Sequence, residues 1–146
     1  MKSTGMSQKK VLLGLLCLLL LYPILMLFQL EMSMEINTDL TRVKQMLVNY
    51  QISIWISWVM FAVVSVIYKW TQGKNFFFTF TYCFLAIAFA IFGFYLKTAT
   101  NQFNVEPGMA KNFSLFSAFF NFAVSVLITA FLQACAWWFT KRWHRR

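Results

Sequence analysis

Ser117, Asn121, Ser125, Thr129 and Gln133 recur every four residues in a segment otherwise built mainly of Phe, Val, Leu, Ile and Ala. On a helix that spacing lays five polar side chains in a slowly winding stripe along one side. Inside a membrane such groups have two uses. They can hydrogen-bond to neighbouring helices and hold them together. They can also line a hydrophilic groove for a ligand or an ion, or a pore shared by several copies. Asn121 is the costliest of the five to bury without a partner. Asn121 and Thr129 are expected to point into the bundle, where they serve either use.

A second group of candidates is charged. Glu35, Asp39, Arg42 and Lys44 lie along a stretch whose apolar residues, Ile36, Leu40, Val43, Leu47 and Tyr50, step by four and three. That is one stripe of a helix with a polar opposite face. Asn37 or Thr38 is suited to cap its start, with Asp39 in the first turn. The stripe either packs on neighbouring helices and headgroups or docks a partner, and the four charges form the candidate partner surface. A third group, Lys141, Arg142, Arg145 and Arg146, closes the chain as a basic rim. It suits anionic headgroups, although orientation in the membrane alone also accounts for it.

Several chemistries lack their residues. None of the long apolar runs has an Asp, Glu, Lys, Arg or His in its interior, whereas proton-coupled transport usually places a carboxylate there. The chain therefore departs from small multidrug exporters, which need a central glutamate. His144 is the single histidine and sits in the basic tail, so neither a haem pair nor a Ser-His or Cys-His set can be assembled. Four-helix thiol oxidases resemble this topology but need outward-facing cysteine pairs. Cys17, Cys83 and Cys135 lie singly in apolar runs and read as small buried side chains. Membrane enzymes of glutathione metabolism use buried basic and acidic residues, which are also missing. No phosphate loop or metal cluster appears. The expectation is a protein that is not an enzyme and has no catalytic residue, metal or cofactor. The net charge of +9 lacks the patch and motifs of a nucleic-acid binder.

These candidates need helices to position them. Hydrophobic residues make up 60% of the 146 residues and charged ones 12%, well away from soluble proportions. The excess falls in four runs, at about 11–30, 52–70, 76–96 and 113–139. Each can cross about 30 Å of hydrocarbon as a helix. Lys2, Lys9 and Lys10 precede the first run, which is too long for a cleaved signal core and reads as an uncleaved anchor. With four crossings, the N-terminal tail, the second connection (Lys69 and Lys74) and the C-terminal tail share one side and hold nine of the 13 basic residues. All four acids (Glu31, Glu35, Asp39 and Glu106) fall on the other side, with Arg42, Lys44, Lys97 and Lys111. The excess of positive charge places both termini in the cytoplasm. Tyr50, Trp55, Tyr68, Trp70, Tyr95, Trp137, Trp138 and Trp143 sit at run borders, where amphipathic rings anchor.

The expected fold is a single all-α membrane domain, 1–146. It is an antiparallel bundle of four transmembrane helices with the N- and C-termini inside and the second helix extended outward over about 38–50. Pro107-Gly108 marks a turn in the second outer connection, and Asn112-Phe113-Ser114 is formally a glycosylation sequon. The third helix offers a small-residue seam, Thr79, Cys83, Ala86, Ala90 and Gly93, and the second offers Ser53, Ser57 and Ser65. Helices three and four are therefore expected to pack closely. Pro23 frees the carbonyl of Leu19 in the first helix. The functional expectation is a bacterial inner-membrane protein that binds another membrane component or itself, as an accessory subunit, assembly factor or immunity-type protein. Small immunity proteins against pore-forming toxins share this size and topology, an analogy of architecture that no motif carries. The alternative is an oligomeric channel or transport subunit lined by the polar stripe.

Overall fold

The computed structural model describes residues 3–36, 39–104 and 115–145. They form four helices: α1 (Ser3–Ile36), α2 (Leu40–Gln72), α3 (Phe76–Gln102) and α4 (Leu115–Trp143). All four are long and apolar enough to cross a membrane. A helix satisfies its backbone polar groups internally, which suits segments of this apolar composition.

α2 is the hub and touches α1, α3 and α4. Its buried residues include Val43, Leu47, Tyr50, Ile54, Ser57, Phe61, Val64 and Tyr68. These alternate steps of four and three, the spacing that keeps a seam facing its neighbours. α3 answers with Phe78, Thr81, Leu85, Ala88, Phe92, Leu96 and Ala99, all buried and almost as regular. Phe61 stands edge-on to Phe84 at 4.8 Å and to Phe80 at 5.4 Å, the geometry that ring quadrupoles favour. Ser53, Ser57 and Ser65 of α2 are at most 1% exposed, and Thr81, Ala88 and Ala99 of α3 are buried too, so both helices supply small residues to the closest packing.

Local signals set the helix ends. Asp39 is the N-cap of α2, its carboxylate accepting from the Thr41 amide at 3.0 Å. The expected caps, Asn37 and Thr38, lie outside the described residues. Gly73 ends α2 with a positive φ of 67° and donates its amide to the Lys69 carbonyl at 2.9 Å, a left-handed cap that suits glycine. Lys69 lies in the last turn of α2, inside the expected span. It is buried, and its ammonium donates to the Gly73 carbonyl at 3.0 Å. Its stem lies along the protein while its head clamps the turn.

Other expectations are corrected. α1 continues to Ile36, so Ile36 belongs to α1 and not to the α2 stripe, and it is exposed. α3 runs to Gln102, so Lys97 is helical rather than in a loop. α4 includes Lys141 and Arg142, which were expected in a tail. Cys17 and Cys83 are exposed and Cys135 is half-buried. They fall on faces that the bundle does not close, where a thiol serves as a small apolar group. Tyr50 is no border anchor. Its ring is buried, lies 6.2 Å from that of Phe92, and donates its hydroxyl to the Ala88 carbonyl at 3.3 Å. The α3 seam is also turned away from the closure. Thr79, Cys83, Ala86 and Ala90 are exposed and Gly93 half-buried. The bulkier Phe face has taken the interior, where it fills more space. Pro107-Gly108, Glu106, Lys111 and the Asn112 sequon lie outside the described residues.

Candidate functional site

The α4 stripe is a hydrogen-bonded seam. Thr129 and Ser125 are at most 1% exposed, while Ser117, Asn121 and Gln133 are half-buried. The cause is helical geometry. Each step of four residues turns about 40° around the axis, so only the middle of the stripe faces the bundle. Among the described residues of α4, the buried ones are Ala118, Ser125, Thr129 and Ala136. Asn121, expected to reach into the bundle, instead donates to the Ser117 carbonyl of its own helix at 2.8 Å. The Ser125 and Thr129 hydroxyls likewise donate to the carbonyls four residues back, at 2.6 and 2.8 Å.

Two members of the stripe reach other helices. The Trp58 indole of α2 donates to the Thr129 hydroxyl oxygen at 2.8 Å, in a wholly buried pair. The Tyr82 hydroxyl of α3 donates to the Gln133 side-chain carbonyl at 2.9 Å. Trp58 was not singled out in the sequence. The signal was there: it lies one residue after Ser57 on the buried line of α2, where an indole needs an acceptor. Elsewhere in the interior, Ser65 and Thr81 share a hydrogen bond at 3.1 Å between α2 and α3. The Ser57 hydroxyl donates to the Leu19 carbonyl at 2.9 Å. That carbonyl is the one Pro23 deprives of its helical donor, so α2 satisfies what the proline left open. No buried side-chain nitrogen or oxygen among the described residues is without a partner.

The charged candidates occupy two ends. At one, Glu35, Asp39 and Arg42 are exposed and Lys44 is half-buried, around the junction of α1 and α2. Beneath them Leu30, Met34, Val43 and Leu47 are buried in the core, and Gln102 at the end of α3 donates to the Met34 carbonyl at 3.3 Å. The stripe expected on α2 is therefore spent on packing, and only its charged opposite face is free of the core. Asp39 also has a structural task as the cap. At the other end, the Lys141 ammonium sits 4.8 Å from the Trp137 ring centroid and the Arg142 guanidinium 5.1 Å from that of Trp138. Arg145 is exposed and Arg146 lies outside the described residues. Cation–ring contacts of this kind hold flexible basic side chains against exposed indoles.

Among the described residues, no three His, Cys, Asp or Glu side chains converge to hold a metal ion. The arrangement offers tethered helices, a charged junction of α1 and α2, and a basic aromatic rim. No protein-family model, curated protein or solved structure matches this chain.

Proposed function

We propose that the chain is a four-span protein of a bacterial inner membrane, with antiparallel helices and cytoplasmic termini. It acts without catalysis, by binding another membrane component as an accessory subunit, assembly factor or immunity-type protein. The observation that carries this reading is the charged α1–α2 hairpin. Both helices continue beyond the apolar runs: α1 to Ile36 and α2 from Leu40. The hairpin is internally packed and therefore preformed, so a partner would not have to order it. Its outward charges, Glu31, Glu35, Asp39 and Arg42, suit a polar protein surface better than lipid.

Antiparallel packing is supported by the order of the contacts. Ser65 meets Thr81 and Tyr50 meets Ala88, so early α2 lies against later α3. Tyr82 meets Gln133 and Phe89 meets Phe122, so early α3 lies against later α4. The channel alternative is less favoured, because Thr129 and Gln133 already bond within the bundle.

The test is co-purification after mild detergent extraction, with Asp39→Asn, Arg42→Glu and Lys44→Glu combined. Asparagine still caps a helix, so the change at Asp39 removes its charge while keeping the cap of α2. A partner protein held by the native chain and lost from the triple variant supports the reading. A chain that purifies alone, with unchanged behaviour in the triple variant, sinks it. Reporter fusions at both termini test the orientation, with cytoplasmic activity expected at each.

A further inference from the structure

The face of α3 left out of the bundle, together with α4, forms a groove. Its floor is the small-residue line Ala86, Ala90 and Gly93, with Phe89 lying against Phe122. Its walls are Phe94 and Phe119, 65% and 72% exposed, which stand up where the floor residues have no bulk. The groove is open on its outer side and holds about 610 Å³. One end carries Lys97, the single charged residue among the described lining residues, and the others described there are apolar.

We propose that this groove binds one phospholipid with an anionic headgroup, its acyl chain on the Ala86–Gly93 floor and its phosphate at Lys97. Two independent features select that occupant over another helix. First, the groove is apolar along its length and cationic at one end, the charge pattern of such a lipid reversed. Second, Ala86 and Lys97 are eleven positions apart, or about 16 Å along a helix, close to half of a hydrocarbon core about 30 Å thick. A lipid with its chain in the groove thus has its headgroup at the level of Lys97. A docked helix would gain nothing from a lysine at that end unless it carried a matching acid. The proposal rests on the four-span reading, because only then do the groove and the leaflet coincide. It concerns a site at the opposite end of α4 from the basic rim.

The experiment is native mass spectrometry of the full chain, extracted from membranes in mild detergent and supplied with dioleoyl phosphatidylglycerol or dioleoyl phosphatidylcholine. The native chain is expected to retain phosphatidylglycerol about fivefold better, the preference one lysine confers at a charged lipid surface. Lys97→Gln should abolish the preference, and Ala90→Trp, at an exposed floor position, should abolish retention of both lipids. Lys74→Gln, exposed in the α2–α3 connection, should leave the preference intact. Ala86→Leu gives a milder filling of the same groove if the tryptophan variant does not fold by circular dichroism, and it too should weaken retention of both lipids. Unchanged preference in Lys97→Gln, or unchanged retention in the folded groove variants, overturns the proposal. So does a two-copy species that Ala90→Trp dissolves, which would make the groove a self-association face. A chain recovered without detergent overturns the four-span reading as well, whereas a detergent-dependent chain with no lipid preference overturns this proposal alone.

Discussion

The α2–α3 pair and the flanking helices α1 and α4 contrast sharply. Half of the apolar window of α2 and 44% of that of α3 are buried within the protein, against 11% for α1 and 17% for α4. Hydropathy does not explain the order. α1 is the most apolar, with a mean hydropathy of 2.8, and is the least buried, while α2 and α4 are equal at 1.8. In a bilayer an apolar side chain gains little by leaving lipid for protein, so hydropathy reports fit to the membrane and not position in the bundle. What separates α2 from α4 is pattern. α2 keeps a seam of alternating four- and three-residue steps over its length, and small hydroxyl residues on it allow close approach. The polar residues of α4 step only by four and drift off the contact line.

Substitutions in the two regions test that contrast directly. The largest effect is expected from Phe61→Ala on α2. The cavity it leaves should cost about 2 kcal/mol of unfolding free energy in detergent, whereas Phe119→Ala on α4, 72% exposed, should change stability little. Equal losses at the two sites would erase the distinction.

A smaller effect is expected where α4 does meet the core. Thr129→Val leaves the Trp58 indole unpaired and should cost about 1–2 kcal/mol. In a double-mutant cycle with Trp58→Phe, most of that loss should disappear, because the donor goes with its acceptor. Independent, additive losses would show that the 2.8 Å contact carries no coupling.

Ser57→Ala, at the α1–α2 contact, should cost about 0.6 kcal/mol, the usual worth of an interhelical bond in lipid. Its effect should shrink when combined with Pro23→Ala, which returns an amide donor to the Leu19 carbonyl. The same loss in both backgrounds would break the link between proline and serine. At the helix end, Asp39→Ala should cost about 1 kcal/mol while Asp39→Asn costs little. Hydrogen exchange at Thr41 to Val43 reads this locally, and faster exchange in the asparagine variant would contradict the cap.

The sequence alone conveyed the four helices, because long apolar runs in this composition admit few other forms. It also conveyed the continuous helix through Tyr50, since nothing between Leu40 and Gln72 interrupts it. Pro23 announced an open carbonyl at Leu19 but not its donor, since proline chemistry is local and the answering Ser57 is 38 residues away. The same limit governed the polar stripe. Its spacing was legible, but which of its members turn inward depends on how α4 is rotated about its axis, and that is set by packing against Trp58, Tyr82 and Phe89. The small residues of α3 were read as a contact seam because small residues permit close approach. Only the tertiary structure could show that the Phe face of α3 won the interior by filling it, leaving Ala86, Ala90 and Gly93 as the floor of an open groove.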